Sequence, residues 1–134
     1  MLKQVSIFAE NKRGTFQSIT GILQEENINI LGSITNDSAE YGIVRMIVSD
    51  TEKALRALSA NGYLCRSNDI LGVEMEDEIG SLNRLLISLS DGNISVDYIY
   101  LCFNRDTGKP VLILHTDDIR EVEEYLKSRG FLVQ

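Results

Sequence analysis

Tryptophan is absent from these 134 residues, proline occurs once, at Pro110, and histidine once, at His115. One proline and no low-complexity stretch exclude a long disordered linker. His115 ends an apolar run with no serine or cysteine motif beside it, so packing explains it more simply than catalysis does. The two cysteines, Cys65 and Cys102, stand apart and form no Cys-x-x-Cys pair. They read as reduced thiols rather than a disulfide framework or a metal set. Positive charge is in deficit: 13 Lys and Arg against 20 Asp and Glu give a net charge of −7. That argues against sequence-independent binding to nucleic acid, which depends on clustered cations, so no nucleic-acid partner is expected. No apolar run approaches the roughly 20 residues that span a bilayer, and the first residues carry no signal-peptide run. A cytoplasmic protein with no membrane partner is the expectation. No nucleophile elbow, phosphate loop, metal-ligand spacing or paired-carboxylate motif is present, so neither enzyme activity nor a cofactor is expected. Strand alternation would put Glu74, Glu76 and Glu78 on one side. A calcium cage takes about six to eight oxygens, which this run does not supply, so no metal is expected either.

What the chain does contain is a repeat. Glu10-Asn11-Lys12-Arg13-Gly14-Thr15-Phe16 returns as Glu76-Asp77-Glu78-Ile79-Gly80-Ser81-Leu82, a spacing of 66. Asn27-Ile28 matches Asn93-Ile94 at the same spacing, and Gly62-Tyr63-Leu64 matches Gly130-Phe131-Leu132 at 68. One folding unit has been duplicated, and the repeated device is a glycine loop that opens a helix. Two modules, 1–68 and 69–134, follow. Each is small enough that a shared sheet or core is expected.

Residues 2–9 alternate as a strand, residues 10–14 form a loop, and Phe16, Ile19, Ile22 and Leu23 mark one face of a helix over 15–26. Residues 27–35 and 41–48 read as strands around a turn at Asn36-Asp37-Ser38-Ala39-Glu40. Ser49-x-x-Glu52 resembles a capping box before a helix with Ala54, Leu55 and Leu58 inside, ended by Gly62. Residues 63–66 are a short fourth strand, and the module boundary falls near 67–70. The second module repeats the order: a strand at 71–75, and a helix at 81–90 with Leu82, Leu85, Leu86 and Leu89 on one side. Strands follow at 93–103 and 111–115. Asp117 or Asp118 then caps a helix ended by Gly130, before a last strand at 131–133. Tyr98 and Tyr100 fall on one strand face. The fold class is therefore α+β: two ferredoxin-like βαββαβ modules, each an antiparallel four-stranded sheet with two helices on one face, packed side by side.

Phe8-Ala9-Glu10-Asn11-Lys12-Arg13-Gly14-Thr15 with Asn27-Ile28-Asn29-Ile30 resembles the ACT domain, a small regulatory module that senses amino acids and related metabolites. So does Met75-Glu76-Asp77-Glu78-Ile79-Gly80-Ser81 with Asn93-Ile94-Ser95-Val96. The chain looks most like a free-standing tandem ACT protein of the bacterial kind. Where the family's loop often has proline before its glycine, this chain has Arg13 and Ile79. The resemblance implies a non-enzymatic sensor that binds an amino acid at the loop and module interface. Asn11, Gly14 and Thr15 would face Asn93, Ile94 and Ser95, or their counterparts in a second chain, and Gly80 and Ser81 would face Asn27, Ile28 and Asn29 in the same way, with Lys12 and Arg13 also counted among the ligand-binding residues of the first loop. It also implies a homodimer, and a metabolic enzyme as a partner that reads the bound state. The alternative is a regulatory subunit that binds such an enzyme and senses nothing.

The chemistry of the loop fits that reading. A helix N-terminus presents N–H groups without intrahelical partners, and its dipole favours an anion. Glycine lets a carboxylate approach without a Cβ in the way. Lys12 and Arg13 flank the first loop, whereas Glu76, Asp77 and Glu78 flank the second. Nearby cations favour a bound carboxylate, so the first loop is expected to bind it better. Gly14 and Gly80 also read as plain turn glycines, and Asn27 and Asn93 as residues that end helices in a left-handed conformation.

Overall fold

The computed structural model describes residues 1–10, 12–37 and 41–134. Asn11 and most of the expected turn, Ser38, Ala39 and Glu40, lie outside the described residues. The elements are β1 (Leu2–Glu10), α1 (Thr15–Glu25), β2 (Ile30–Asp37), β3 (Tyr41–Val48), α2 (Thr51–Ala60), β4 (Leu64–Glu74), α3 (Ser81–Asp91), β5 (Tyr98–Phe103), β6 (Pro110–His115), α4 (Ile119–Ser128) and β7 (Leu132–Val133). The chain divides into two compact units, Lys3–Asn68 and Asp69–Gln134, the second including Met1–Leu2.

In the first unit β3 pairs antiparallel with β1 and with β2, Val44 lying opposite both Ile7 and Thr35. In the second, β6 pairs with β4 and with β5, and β7 pairs with β4, all antiparallel. Each unit is an α+β ferredoxin-like module. One difference from the sequence reading is topological. The strands expected at 63–66 and 71–75 are a single strand, β4, which runs through the boundary between the units. Ser67-Asn68-Asp69 looks like a turn by composition, yet it continues as strand, with the Asn68 side chain bonded to β1. Its Oδ1 accepts from Gln4 Nε2 at 3.4 Å and from Ser6 Oγ at 3.3 Å.

The two cores are built from matching positions. Val5, Ile7, Ile19, Leu23, Val44, Met46, Ala54 and Leu58 fill the first. Leu71, Val73, Leu85, Leu89, Leu112, Leu114, Val122 and Leu126 fill the second. Burying each large aliphatic chain contributes about 1.5–3 kcal/mol. The other face differs. In the first unit it holds buried Gln4 and Ser6. In the second, Leu2, Val111 and Ile113 close over Gly72, and Tyr98 stacks on His115 at 5.2 Å and on Tyr100 at 6.5 Å.

Helix ends account for where β2 and β5 start, each later than the sequence reading placed it. Asn27 and Asn93 have φ of 57° and 54°. Their N–H groups bond to Gln24 and Ser90 carbonyls, and those of Ile28 and Ile94 reach back to Leu23 and Leu89. Gly62 and Gly130 close α2 and α4 with the same two bonds, from Gly62 to Ser59 and Tyr63 to Leu58, and from Gly130 to Lys127 and Phe131 to Leu126. A left-handed residue closing a helix this way is a general device. It explains the repeated Asn-Ile through backbone geometry. At the start of α2 the cap is Asp50, whose side chain accepts from Lys53 N at 3.1 Å. Ser49 is not the cap; its Oγ accepts from Asn29 N.

Charge is segregated between the units. Lys3–Asn68 carries seven basic and seven acidic side chains, and Asp69–Gln134 carries six and thirteen. The whole net charge of −7 falls on the second unit.

Candidate functional site

Each glycine loop ends in the same backbone device. Gly14 and Gly80 sit at φ 86° and 91°, one residue before α1 and α3, and neither helix has a side-chain cap. Thr15 N–H reaches Lys12 O, and Ser81 N–H reaches Glu78 O, both at 3.3 Å. The next donors, Phe16 and Gln17 in one copy and Leu82 and Asn83 in the other, have no carbonyl a turn earlier in their helices to bond. A Cβ on either glycine would meet nothing within 4 Å. The loops are open to a ligand, and the glycines are required by their φ, not by crowding.

A cavity lies beside each loop, lined by equivalent residues. The first, of about 360 Å³, is lined by Phe8, Ala9, Glu10, Lys12, Thr15, Gly62, Tyr63 and Leu64. The second, of about 390 Å³, is lined by Glu74, Met75, Glu76, Ser81, Gly130, Phe131 and Leu132, together with Arg84, Lys109 and Arg129. Seven lining positions coincide under the repeat. The walls Gly62-Tyr63-Leu64 and Gly130-Phe131-Leu132 are the segments that mark the repeat's far end in the sequence. That recurrence was the available signal for them.

Polar groups are used differently in the two cavities. Ser81 Oγ donates to Glu76 O at 2.7 Å and accepts from Arg84 Nη2 at 3.1 Å. Thr15 Oγ1, its counterpart, is buried with no partner among the described residues. Lys12 Nζ lies 3.3 Å from Glu10 Oε2, and Tyr63 donates its hydroxyl hydrogen to Ser18 Oγ at 2.9 Å.

The acidic second loop is neutralised from outside its own segment. Arg84 pairs with Glu78 at 2.9 Å and Lys109 with Glu76 at 2.7 Å. The Glu76 hydrogen bond and charge hold the Lys109 ammonium above its ordinary value. Glu74 accepts from Asn104 Nδ2 at 2.6 Å. Local sequence charge therefore misstates the second cavity, because Lys109 and Arg129 arrive from distant segments.

The expected site residues separate into groups. Lys12 and Thr15 line the first cavity and Ser81 the second. Arg13, Gly14 and Gly80 are exposed on the loops. Asn93, Ile94 and Ser95 line two other cavities near the C-terminal end of α3, of about 340 and 250 Å³. Ile28 is a core residue, and Asn29 exchanges backbone and side-chain bonds with Ser49. Asn11 lies outside the described residues. Within a unit the loop and the Asn-Ile segment stand at opposite ends of one 11-residue helix, roughly 16 Å apart at 1.5 Å per residue.

A family model described as an ACT domain pair matches residues 1–131. Protein BT0572 from Bacteroides thetaiotaomicron is similar over 99% of this chain and 91% of its own, at 31% identity and a TM-score of 0.90. The regulatory subunit of aspartate kinase from Thermus flavus has the same fold at 15% identity and a TM-score of 0.66, over 93% of this chain and 88% of that one. The Thermus thermophilus subunit, in its ligand-free form, gives 12% and 0.65 over 90% and 85%. No curated protein matches the sequence.

Proposed function

The chain belongs to the ACT domain pair family, and from that premise we propose that it is a non-catalytic regulatory protein that binds an amino acid at the first glycine loop. The observation that carries this reading is the unpartnered, buried Thr15 hydroxyl, set at an open helix N-terminus beside an aromatic-walled cavity. A ligand carboxylate accepts from Phe16 N–H, Gln17 N–H and the Thr15 hydroxyl, where the helix dipole favours it. The ammonium takes Glu10 from Lys12, freeing Lys12 to approach the carboxylate. The ligand side chain packs on Phe8, Tyr63 and Leu64. Binding acts by stabilising one state of the protein over another, which a partner enzyme reads. The first loop binds more tightly than the second, where Ser81, Arg84 and Lys109 already have partners. Free Cys65 and Cys102 support a reducing, cytoplasmic location.

A thermal-shift screen over the common amino acids tests this. A ligand at 100 times its Kd adds about 2.7 kcal/mol to stability. Thr15→Val removes a buried hydroxyl that lacks a partner, so the ligand-free chain becomes more stable while the ligand-induced shift falls. If no amino acid raises Tm, or Thr15→Val and Gly14→Val both leave the shift intact, the reading fails. The absence of any shift, together with capture of a metabolic enzyme, would favour the plain regulatory subunit.

A further inference from the structure

The two glycine-loop cavities differ in kind at one shared position. Of the seven lining positions that coincide under the repeat, six keep their character, as Glu10 and Glu76, Thr15 and Ser81, and Tyr63 and Phe131 do. At the seventh, Phe8 of the first cavity is Glu74 in the second. The registers agree: Phe8 lies opposite Ile43, and Glu74 opposite Val111. One strand forms with either residue, so the fold does not require a carboxylate here. Phe8 lies under the Arg66 guanidinium at 5.6 Å, whereas Glu74 is only 9% exposed.

Glu74 lacks a cation of its own. Both of its bonds fall on Oε1, from Asn104 Nδ2 at 2.6 Å and Thr107 Oγ1 at 3.4 Å, and both donors are neutral. Oε2 takes no bond among the described residues and is not fully buried. The three cations lining the cavity already have carboxylates: Arg84 has Glu78 at 2.9 Å, Lys109 has Glu76 at 2.7 Å and Arg129 has Asp91 at 3.1 Å. A carboxylate so deeply buried is ordinarily paired. The unit around it holds six basic and thirteen acidic side chains, a field that draws small cations in.

We propose that the second cavity is a site for an alkylammonium ligand, with Glu74 Oε2 accepting from the ammonium and the alkyl stem lying on Met75, Phe131 and Leu132. This site is not a weaker copy of the first and does not rest on the amino-acid reading of the first loop. Its ligand class follows from the lining. A carboxylate on the ligand meets cations that already have partners. An ammonium meets the one lining carboxylate that lacks a cation. The volume of about 390 Å³ falls within the roughly 300–1,000 Å³ of small-molecule sites. Lys109 is the competitor for Glu74, because its ammonium feels the charge of Glu74 as well as that of Glu76.

Titration calorimetry of the full chain with cadaverine, lysine and pentanoate tests the proposal. Cadaverine is expected to bind and pentanoate, of similar length but opposite charge, is not. Lysine binding that also needs Glu74 would mark the shared ammonium as the group held; cadaverine binding alone would mark a free diamine. Glu74→Gln keeps an oxygen for Asn104 and removes only the charge. It is expected to weaken cadaverine at least tenfold, with the far-UV spectrum unchanged. Lys109→Met removes the competing cation and is expected to tighten cadaverine, which a purely structural Glu74 does not predict. Several results overturn the proposal: no cadaverine binding, pentanoate binding as tight, lysine binding without cadaverine, or cadaverine binding that survives Glu74→Gln. Cadaverine binding lost on Thr15→Val would place it at the first loop and overturn it too. Should Glu74→Gln misfold, Lys109→Met decides by its sign, and unchanged or weaker binding rejects the site.

Discussion

Gly92 shows how one position is fixed by another far away in sequence. A Cβ there would sit 2.7 Å from Tyr125 Cζ. That ring cannot step aside, because its hydroxyl donates to Ser88 O at 2.6 Å and Arg129 lies over it at 5.5 Å. The first unit holds Glu26 and Ala57 at the corresponding positions, a large–small pair in place of a small–large one. Gly92→Ala should therefore cost about 1–3 kcal/mol by overpacking, read as a lower urea midpoint. Added to Tyr125→Ala it should cost much less, and this non-additivity in a double-mutant cycle separates crowding from helix propensity. Additive losses would count against the pairing. No local pattern reveals such a pair. It becomes visible only when the two copies are compared position by position.

At the scale of elements, helices were legible and boundaries were not. The apolar stripes of α1 and α3 gave their extents to within a residue, because one buried face per helix leaves a clear period. The starts of β2 and β5 were obscured because Asn27 and Asn93 look like the first residues of strands. They are left-handed helix ends instead. β4 was divided in two because its middle is polar, and the side chains that Asn68 meets there, Gln4 and Ser6, come from the other end of the first unit's sequence. The candidate site was half legible. Its loops and glycines stood out, whereas the cations of the second cavity could not be assigned from neighbours in sequence. The cap of α2 gives an element-level test. Asp50→Ala should cost about 1 kcal/mol, whereas Ser49→Ala should leave the Lys53 amide bonded and cost less. Equal losses in chemical denaturation would show that capping does not rest on Asp50.

Across the whole molecule, shape is duplicated and charge is not. That segregation of charge makes the protein self-orienting on charged supports. A positively charged matrix will adsorb it through Asp69–Gln134, since Lys3–Asn68 is neutral overall. Ligands passed over such a layer would report chiefly on the unit holding Gly14, without a tag or chemical coupling.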